Sequence, residues 1–388
     1  MSSKLAQTYT SASNWAKLTA SKLQITKNPN PKQPLPNDKL VFGQSFTDHM
    51  VQIKWNDKEG WASPQIVPYG PLSLDPSAAV FHYAFELFEG MKAYRDSNDQ
   101  IRLFRPDKNM IRMNQSAERI VLPAFDGEEL IKVISELIKL DKHLIPKEKG
   151  YSLYIRPTLI GTTPGLGVNT PTEALLYVIT CPVGPYYSTG FKAVRLEATD
   201  HVTRAWPGGV GDKKLGVNYA PSVKPQLEAA ERGYQQNLWL FGEEKTITEV
   251  GTMNVFFVFK DSTTGKKELV TAPLDGTILP GVTRDSILAL TRDRLDSNEW
   301  EVNERYTTIY EVAEKSKKGE LVEAFGSGTA AVVSPIKEIA FNGESINVPL
   351  LEGEQFGELT GTVAQWISKI QYGDEEYKNW SRVVADLK

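Results

Sequence analysis

Cysteine is almost absent from this chain of 388 residues: there is one, Cys181, which excludes an internal disulfide framework and a cysteine metal cluster. A single thiol fits a reducing compartment. Histidine is nearly as scarce. The four residues His49, His82, His143 and His201 lie far apart, with no pair at metal-ligand spacing, so no metal site is expected. No apolar run nears the roughly 20 residues that span a bilayer, and a net charge of -4 gives no electrostatic case for nucleic acid or an anionic membrane. Acid is missing from the start of the chain, where no aspartate or glutamate precedes Asp38 and lysine, serine and threonine are plentiful. That composition is like a transit peptide, yet the first arginine is Arg95, and Pro31, Pro34 and Pro36 interrupt the stretch. A disordered tail on a cytoplasmic protein is the simpler reading and an address to the mitochondrial matrix the alternative.

Apolar residues at 40% and charged residues at 24% describe an ordinary globular chain with ample core. Its length exceeds a usual single domain, so two domains are expected. Strand-like and helical segments alternate, which indicates a mixed α/β (α+β) fold. Within 128–144, Leu130, Ile131, Ile134, Leu137, Ile138 and Leu144 form a helical stripe. The run 174–183 (ALLYVITCPV) reads as a buried strand, and 238–241 and 254–260 read as strands on their aromatic and β-branched content. Turn formers concentrate at 182–190 (PVGPYYSTG), which marks a linker. The expected division is therefore a flexible tail over 1–37, a small domain over 38–181, the linker, and a large domain over 191–388.

The densest chemical signal is GGVGDKKLGVNY at 208–219, followed by TEVGTMN at 248–254. Lysines sit among glycines, with a tyrosine five residues beyond Lys214 and a glutamate thirty-five beyond it. A partly desolvated lysine amine can form a Schiff base with an aldehyde cofactor. The glycines let backbone pass close to a flat ring or a phosphate. Pyridoxal phosphate needs in addition a hydrogen bond to its phenolic oxygen and a partner for its ring nitrogen, which a tyrosine and a carboxylate can supply. Lys213 and Lys214 are adjacent, and in extended chain they would point to opposite faces, so only one can serve. Further on, ILPGVT at 278–283 leads into an apolar-faced segment, a turn opening onto a helix N-terminus where an anion is favoured. Tyr154 and Arg156 stand two apart in a strand-like segment and so share a face. A phosphate-binding loop, a nucleophile elbow and HExxH are absent from the sequence.

These stretches, with FTDHM, FHYAFELFEGMKAYR, FRPDKNMIRMNQSAERI, SLYIRPTLIGTTPGLGV, LVTAPLDGTILPGVTRDS and EAFGSGTA, resemble the branched-chain amino acid aminotransferases, in that order. They run from about residue 40 to about residue 373, and the resemblance is nearest to the fungal, eukaryotic branch. It implies a fold type IV pyridoxal-phosphate enzyme, with two mixed α/β domains and the cofactor in the cleft between them. The reactive lysine of the family precedes Leu-Gly-x-Asn-Tyr, which is Lys214. Tyr219 would meet the phenolic oxygen and Glu249 the ring nitrogen. Arg112, Val282, Thr283 and Thr329 would hold the phosphate, while Arg102, Arg105 and Arg119 stay structural or at the surface. Phe42, Tyr83, Phe88, Tyr154 and Arg156 would line the substrate pocket, and Thr252, Thr329 and Ala330 would supply donors to the α-carboxylate.

The implied reaction moves the amino group between L-leucine, L-isoleucine or L-valine and 2-oxoglutarate, giving branched 2-oxo acids and L-glutamate. It is the last step of branched-chain amino acid biosynthesis and the first of catabolism. The implied assembly is a homodimer. The chain departs from the mammalian relatives where they carry a Cys-x-x-Cys pair, since Ala331 and Ser334 stand there, which rules out thiol switching at that place. Val217 replaces the second of two glycines before Asn-Tyr. Other readings on the same fold are a D-amino acid aminotransferase, an aminodeoxychorismate lyase or a catalytically silent binding protein. The FHYAFELFEGMKAYR and LYIRPTLIG blocks favour the branched-chain enzyme, and the joint presence of Lys214, Tyr219 and Glu249 disfavours a silent one.

Overall fold

Apolar runs of strand length recur through the chain and assemble into two sheets, each in its own unit. The computed structural model describes residues 15–185 and 192–387. The first unit runs to Gly184 and adds Lys214–Gly216 and Gln371–Lys388, while the second comprises Pro185–Lys213 and Val217–Ile370. Helices and strands mix in both, as the alternating patterns predict.

The sheet of the first unit orders its strands Gln24–Ile25, Gln65–Pro68, His49–Asn56, Glu173–Val183, Ser152–Gly161, Met91–Arg95, Ile101–Phe104 and Ser381–Val383. The short strand Glu86–Phe88 also pairs with Ser152–Gly161. The central strand Glu173–Val183 is apolar over most of its length because it is buried on both faces. Over the sheet packs the helix Gly127–Leu140, whose stripe Leu130, Ile131, Ile134, Leu137 and Ile138 is fully buried. Asp126 caps that helix by accepting from the Glu128 and Glu129 N–H groups. The helix stops short of Leu144, which instead closes a 3-10 turn over Lys142–Leu144.

In the second unit, Thr246–Val250, Gln236–Phe241, Val194–Thr199, Val332–Phe341, Leu321–Gly328 and Met253–Lys260 pair in that order, and Met253–Lys260 pairs again with Thr246–Val250. These strands close into a ring, and the sheet continues from Met253–Lys260 into Lys267–Thr271 and Trp300–Glu304. Leu196, Leu238, Ile247, Val255, Phe257, Ile336 and Ile339 form one core with Ile309 and Val312 of the helix Ile309–Lys317.

Parts of three expected segments fall elsewhere than the composition suggested, although the boundary between the units, at Gly184 and Pro185, lies within the expected linker. Of the expected tail, residues 1–14 lie outside the described residues, but the chain from Trp15 onward packs on the first unit. Leu18 is only 1% exposed, Trp15 meets Trp55 edge to face, and Gln24–Ile25 adds a strand beside Gln65–Pro68. Of the expected linker, residues 186–190 lie outside the described residues, and Pro182 and Val183 belong to the strand Glu173–Val183. The last residues belong to the first unit rather than the second, because Ser381–Val383 pairs with Ile101–Phe104. Leu18→Ala is expected to destabilise the protein by about 2–5 kcal/mol, the cost of emptying a filled core position. A urea midpoint equal to wild type would show that this segment is not part of the folded core.

Candidate active site

In the first unit the site is built around Glu89, a carboxylate with no solvent exposure. Arg112 grips it along one edge of the guanidinium, Nε to Oε1 at 2.7 Å and Nη2 to Oε2 at 2.8 Å. Asn109 Nδ2 adds a third donor at 2.8 Å. Burial alone would push the Glu89 carboxyl up, but the charges of Arg112 and Lys214 and these hydrogen bonds hold it below the ordinary carboxylate range. Asn109, Arg112 and Ser116 are three and four residues apart on the helix Pro106–Arg119 and so form one stripe. Ser116 Oγ accepts the Lys214 N–H at 2.9 Å, and the Lys214 carbonyl accepts the Phe88 N–H at 3.1 Å. The backbone of Lys214 is thus held on two sides, and its amine lies 4.8 Å from the centre of the Phe88 ring.

Register fixes which neighbours surround that ring. Residues directly opposite one another in paired strands point to the same face. Thr158 faces both Phe88 and Tyr177, Arg156 faces Ile179, and Tyr154 faces Cys181 and Lys92. Arg156 and Tyr154 therefore share the face of Phe88, as their spacing predicts. The Arg156 guanidinium sits 4.5 Å from the Phe88 centroid and 5.1 Å from that of Tyr154, and its Nη2 donates to the Tyr154 hydroxyl at 2.7 Å. Its Nε is buried and meets no acceptor among the described residues. Phe42 stands edge to face on Tyr154 at 4.8 Å, on a loop whose Gly43 N–H points at Cys181 Sγ. Gly90 is required here, because a Cβ would run into the Tyr154 hydroxyl. Burial pulls the nearby Lys92 ammonium down to about 8. Tyr83 is not brought among these residues: its contacts are with His82 and with the Leu166 carbonyl.

In the second unit the organising group is Glu249, also buried. Its Oε1 accepts from the Leu279 N–H at 2.9 Å and from Asn254 Nδ2 at 3.1 Å, and its Oε2 is 2.7 Å from Arg204 Nη2. Asn254 also donates to the Leu279 carbonyl at 2.9 Å, so it ties the acid to the turn that opens the helix Val282–Arg294. Gly281, the N-cap of that helix, has to be glycine because a Cβ would collide with Asn254. Val282 and Thr283 begin the helix, where N–H groups have no acceptor within it. The pairing Asn254↔Ser327 sets Thr252, in the turn before Met253–Lys260, at the same end of the sheet as Thr329 and Ala330 in the turn after Leu321–Gly328. Tyr219 is half-buried, ahead of the short turn Ala220–Ser222. Asn218 clips the loop before it by donating to the Val210 and Lys213 carbonyls, both at 2.8 Å. The Lys213 ammonium is taken by Asp212.

Sequence reasoning did not single out Glu89, Asn109, Ser116, Arg204 or Asn254. Each acts through a contact made only on folding; the one local signal was the glutamate of FEG beside an otherwise apolar run. Arg102 pairs with Asp96 and Arg105 covers Trp380, structural roles in keeping with their reading.

The family model of amino-transferase class IV matches residues 86–339 of this chain. The chain is 73% identical to the mitochondrial branched-chain-amino-acid aminotransferase of Saccharomyces cerevisiae, over 96% of this chain and 95% of that protein. It is 70% identical to the cytosolic form from the same yeast, over 96% of this chain and 99% of that protein. Among solved structures it resembles the branched-chain amino acid aminotransferase of Escherichia coli, with a TM-score of 0.68 and 26% identity over 86% of this chain and 99% of that one. The chain belongs to the branched-chain-amino-acid aminotransferases, with the fold of the type IV pyridoxal-phosphate enzymes. The two yeast relatives divide between mitochondrion and cytosol, and no helix among the described residues is long and apolar enough to cross a membrane.

Glu89→Gln should cost about 3–5 kcal/mol of stability, because it leaves the Arg112 guanidinium buried without its counter-charge. Equilibrium denaturation checks this; a loss below about 1 kcal/mol, the worth of a surface pair, would mean that water reaches Arg112 readily.

Proposed function

We propose that the chain exchanges the amino group of L-leucine, L-isoleucine or L-valine with 2-oxoglutarate, giving branched 2-oxo acids and L-glutamate, with pyridoxal 5'-phosphate as cofactor. In metabolism this is the last step of branched-chain amino acid synthesis and the first step of breakdown. The observation that carries the reading is the Phe88 ring, which has both the Lys214 amine and the Arg156 guanidinium against it. A substrate whose amino group reacts at Lys214 has its side chain among Phe88, Tyr154, Phe42 and Arg156. Aromatic faces suit methyl groups, and the Arg156 guanidinium between two of them suits a second carboxylate.

The residues present fit the cofactor. Glu249, a buried carboxylate held by the Leu279 N–H and Asn254 and kept ionised beside Arg204, suits a protonated ring nitrogen, and Tyr219 supplies a hydroxyl for the phenolic oxygen. The N–H groups that open the helix Val282–Arg294, with Thr329 and Arg112, suit the phosphate. When bound, pyridoxal phosphate supplies an aldehyde for exchange with the substrate amine and a ring that accepts the electron pair left at the α-carbon. Lys214 is the base that takes the α-proton and returns it. Its amine rests against an aromatic ring, and Ser116 fixes its backbone, so the proton is moved by a group with little freedom to wander. Thr252, Thr329 and Ala330 offer donors to the α-carboxylate from turns at one end of their sheet. Glu89 keeps Arg112 oriented and balances its charge.

A homodimer is part of the proposal. It is supported by apolar side chains left in solvent on the first unit, Phe81 at 60%, Leu166 at 67% and Val168 at 72% exposed, near Tyr83. Sedimentation of an active monomer would remove this part.

Lys214→Ala should abolish the visible absorbance of the bound cofactor and nearly all turnover, while Lys213→Ala, which loses only Asp212, should be mild. Borohydride reduction and peptide mapping that labelled Lys213 would overturn the assignment. Arg156→Ala should slow the glutamate half-reaction by about a hundredfold and the leucine half-reaction by far less, since only glutamate has a second carboxylate to leave unpaired. Equal losses in single-turnover rates would make Arg156 structural.

A further inference from the structure

Glu86 lies on the pocket face, two residues before Phe88. It pairs with Ile160 in the register that sets Phe88 opposite Thr158 and Arg156 two residues further along the same face. Its carboxylate accepts the Gly216 N–H, and a Cβ on Gly216 would collide with it. A glycine two residues past Lys214 is therefore what admits the acid here. The charged and titratable groups that act on it are Arg156 and Tyr177, the latter hydrogen-bonded to Thr158. Burial pushes the Glu86 carboxyl up, and the charge of Arg156 and the Gly216 N–H pull it partly back.

Arg156 gives Nη2 to the Tyr154 hydroxyl and makes no ion pair at contact distance with Glu86 among the described residues. The interaction is through space. A direct salt bridge would occupy the guanidinium, whereas a carboxylate held by the Gly216 N–H offsets the cation's charge through space and claims none of its N–H groups.

We propose that Glu86 is a positioning residue that sets the balance between the two substrate classes. Its carboxylate is the resident counter-charge of Arg156 when the pocket holds a branched apolar side chain, and a dicarboxylate must bind against it. This rests on the reading of Arg156 as the partner of the second carboxylate. Without Glu86, an apolar side chain would lie against an uncompensated cation, and a γ-carboxylate would meet the same cation with no like charge behind it. Glu86 thus costs affinity for glutamate and gains it for leucine, which keeps one pocket usable for both.

The test is calorimetric titration of the holoenzyme with two ligands that lack an amino group, glutarate and 4-methylvaleric acid. Glu86→Gln keeps the side-chain size and an oxygen for the Gly216 N–H. It should bind glutarate about tenfold more tightly and 4-methylvaleric acid about threefold more weakly. Glu86→Asp, which keeps the charge, should return the ratio toward wild type, and Glu86→Gln combined with Arg156→Ala should show no shift relative to Arg156→Ala alone. If Glu86→Gln weakens both ligands alike, or leaves their ratio unchanged, while Arg156→Ala loses glutarate, the role of Glu86 is wrong and that of Arg156 stands. If Arg156→Ala binds glutarate as wild type does, the reading of Arg156 falls and this inference with it.

Discussion

The ion pair between Glu89 and Arg112 is the contact on which the site of the first unit depends. Withdrawing two ions from water costs several kcal/mol each, and their attraction offsets this only when the geometry is near ideal. Here two parallel bonds and a third from Asn109 meet that condition. The pair is better understood as fixing orientation than as adding net stability. Once Arg112 is locked, the rotation of the helix Pro106–Arg119 about its axis is set, and Ser116 on the same stripe is delivered to the Lys214 N–H. On the strand side, Phe88 precedes Glu89 directly, so the ring that touches both amine and guanidinium is placed by the same contact. A change at Glu89 would reach Lys214 by two routes, through the helix and through the strand.

The second unit solves the same problem with a neutral side chain at the centre. Asn254 faces Glu249 in the pairing that closes the ring of strands, and it reaches the Leu279 carbonyl in the turn before the helix Val282–Arg294. An amide carries both donors and an acceptor, so it can join a carboxylate to a backbone turn without adding charge. Gly281 leaves room for it. An acid and a helix N-terminus placed independently would drift with the strands; joined through one buried amide they keep a fixed separation. Arg204 then brings a full positive charge to the acid, which makes Glu249 a member of a network rather than a lone buried ion.

The segments that carry the candidate residues are short runs of chain and could be picked out in the sequence. Lys214, Tyr219 and Glu249 stood out because glycines and turn formers crowd them, and the helix opening at Val282 was visible because Pro-Gly precedes an apolar face. The strand pair of Tyr154 and Arg156 followed from a period of two. Glu89, Asn109, Ser116, Arg204 and Asn254 could not be found this way, since each is defined by a partner brought near only by the fold, often from another element. The first residues misled for a physical reason. Lysine, serine and proline around 15–37 look like solvated chain, yet the segment is held by a few apolar anchors, Trp15 and Leu18, and by an edge strand of two residues. The closing residues misled similarly, because a strand as short as Ser381–Val383 carries too few positions to show a period.

A pocket for both methyl groups and a carboxylate is a contradiction only if its cation is free to point anywhere. The Arg156 guanidinium is set against the rings of Phe88 and Tyr154 and is tied to the Tyr154 hydroxyl, which fixes where its charge lies. Guanidinium is planar and weakly hydrated, so it can lie among aromatic rings at a cost that a compact ammonium would not meet. On the proposed function, an aliphatic side chain contacts the rings and leaves the guanidinium alone, while a carboxylate reaches it and displaces little else. The remaining difficulty is charge, since one substrate brings an anion and the other does not. If Glu86 acts as proposed, a carboxylate held by backbone rather than bonded to the cation divides that difference, so that neither substrate bears all of it. On the proposed function, the arrangement would trade peak affinity for either ligand against the ability to turn over both in one site.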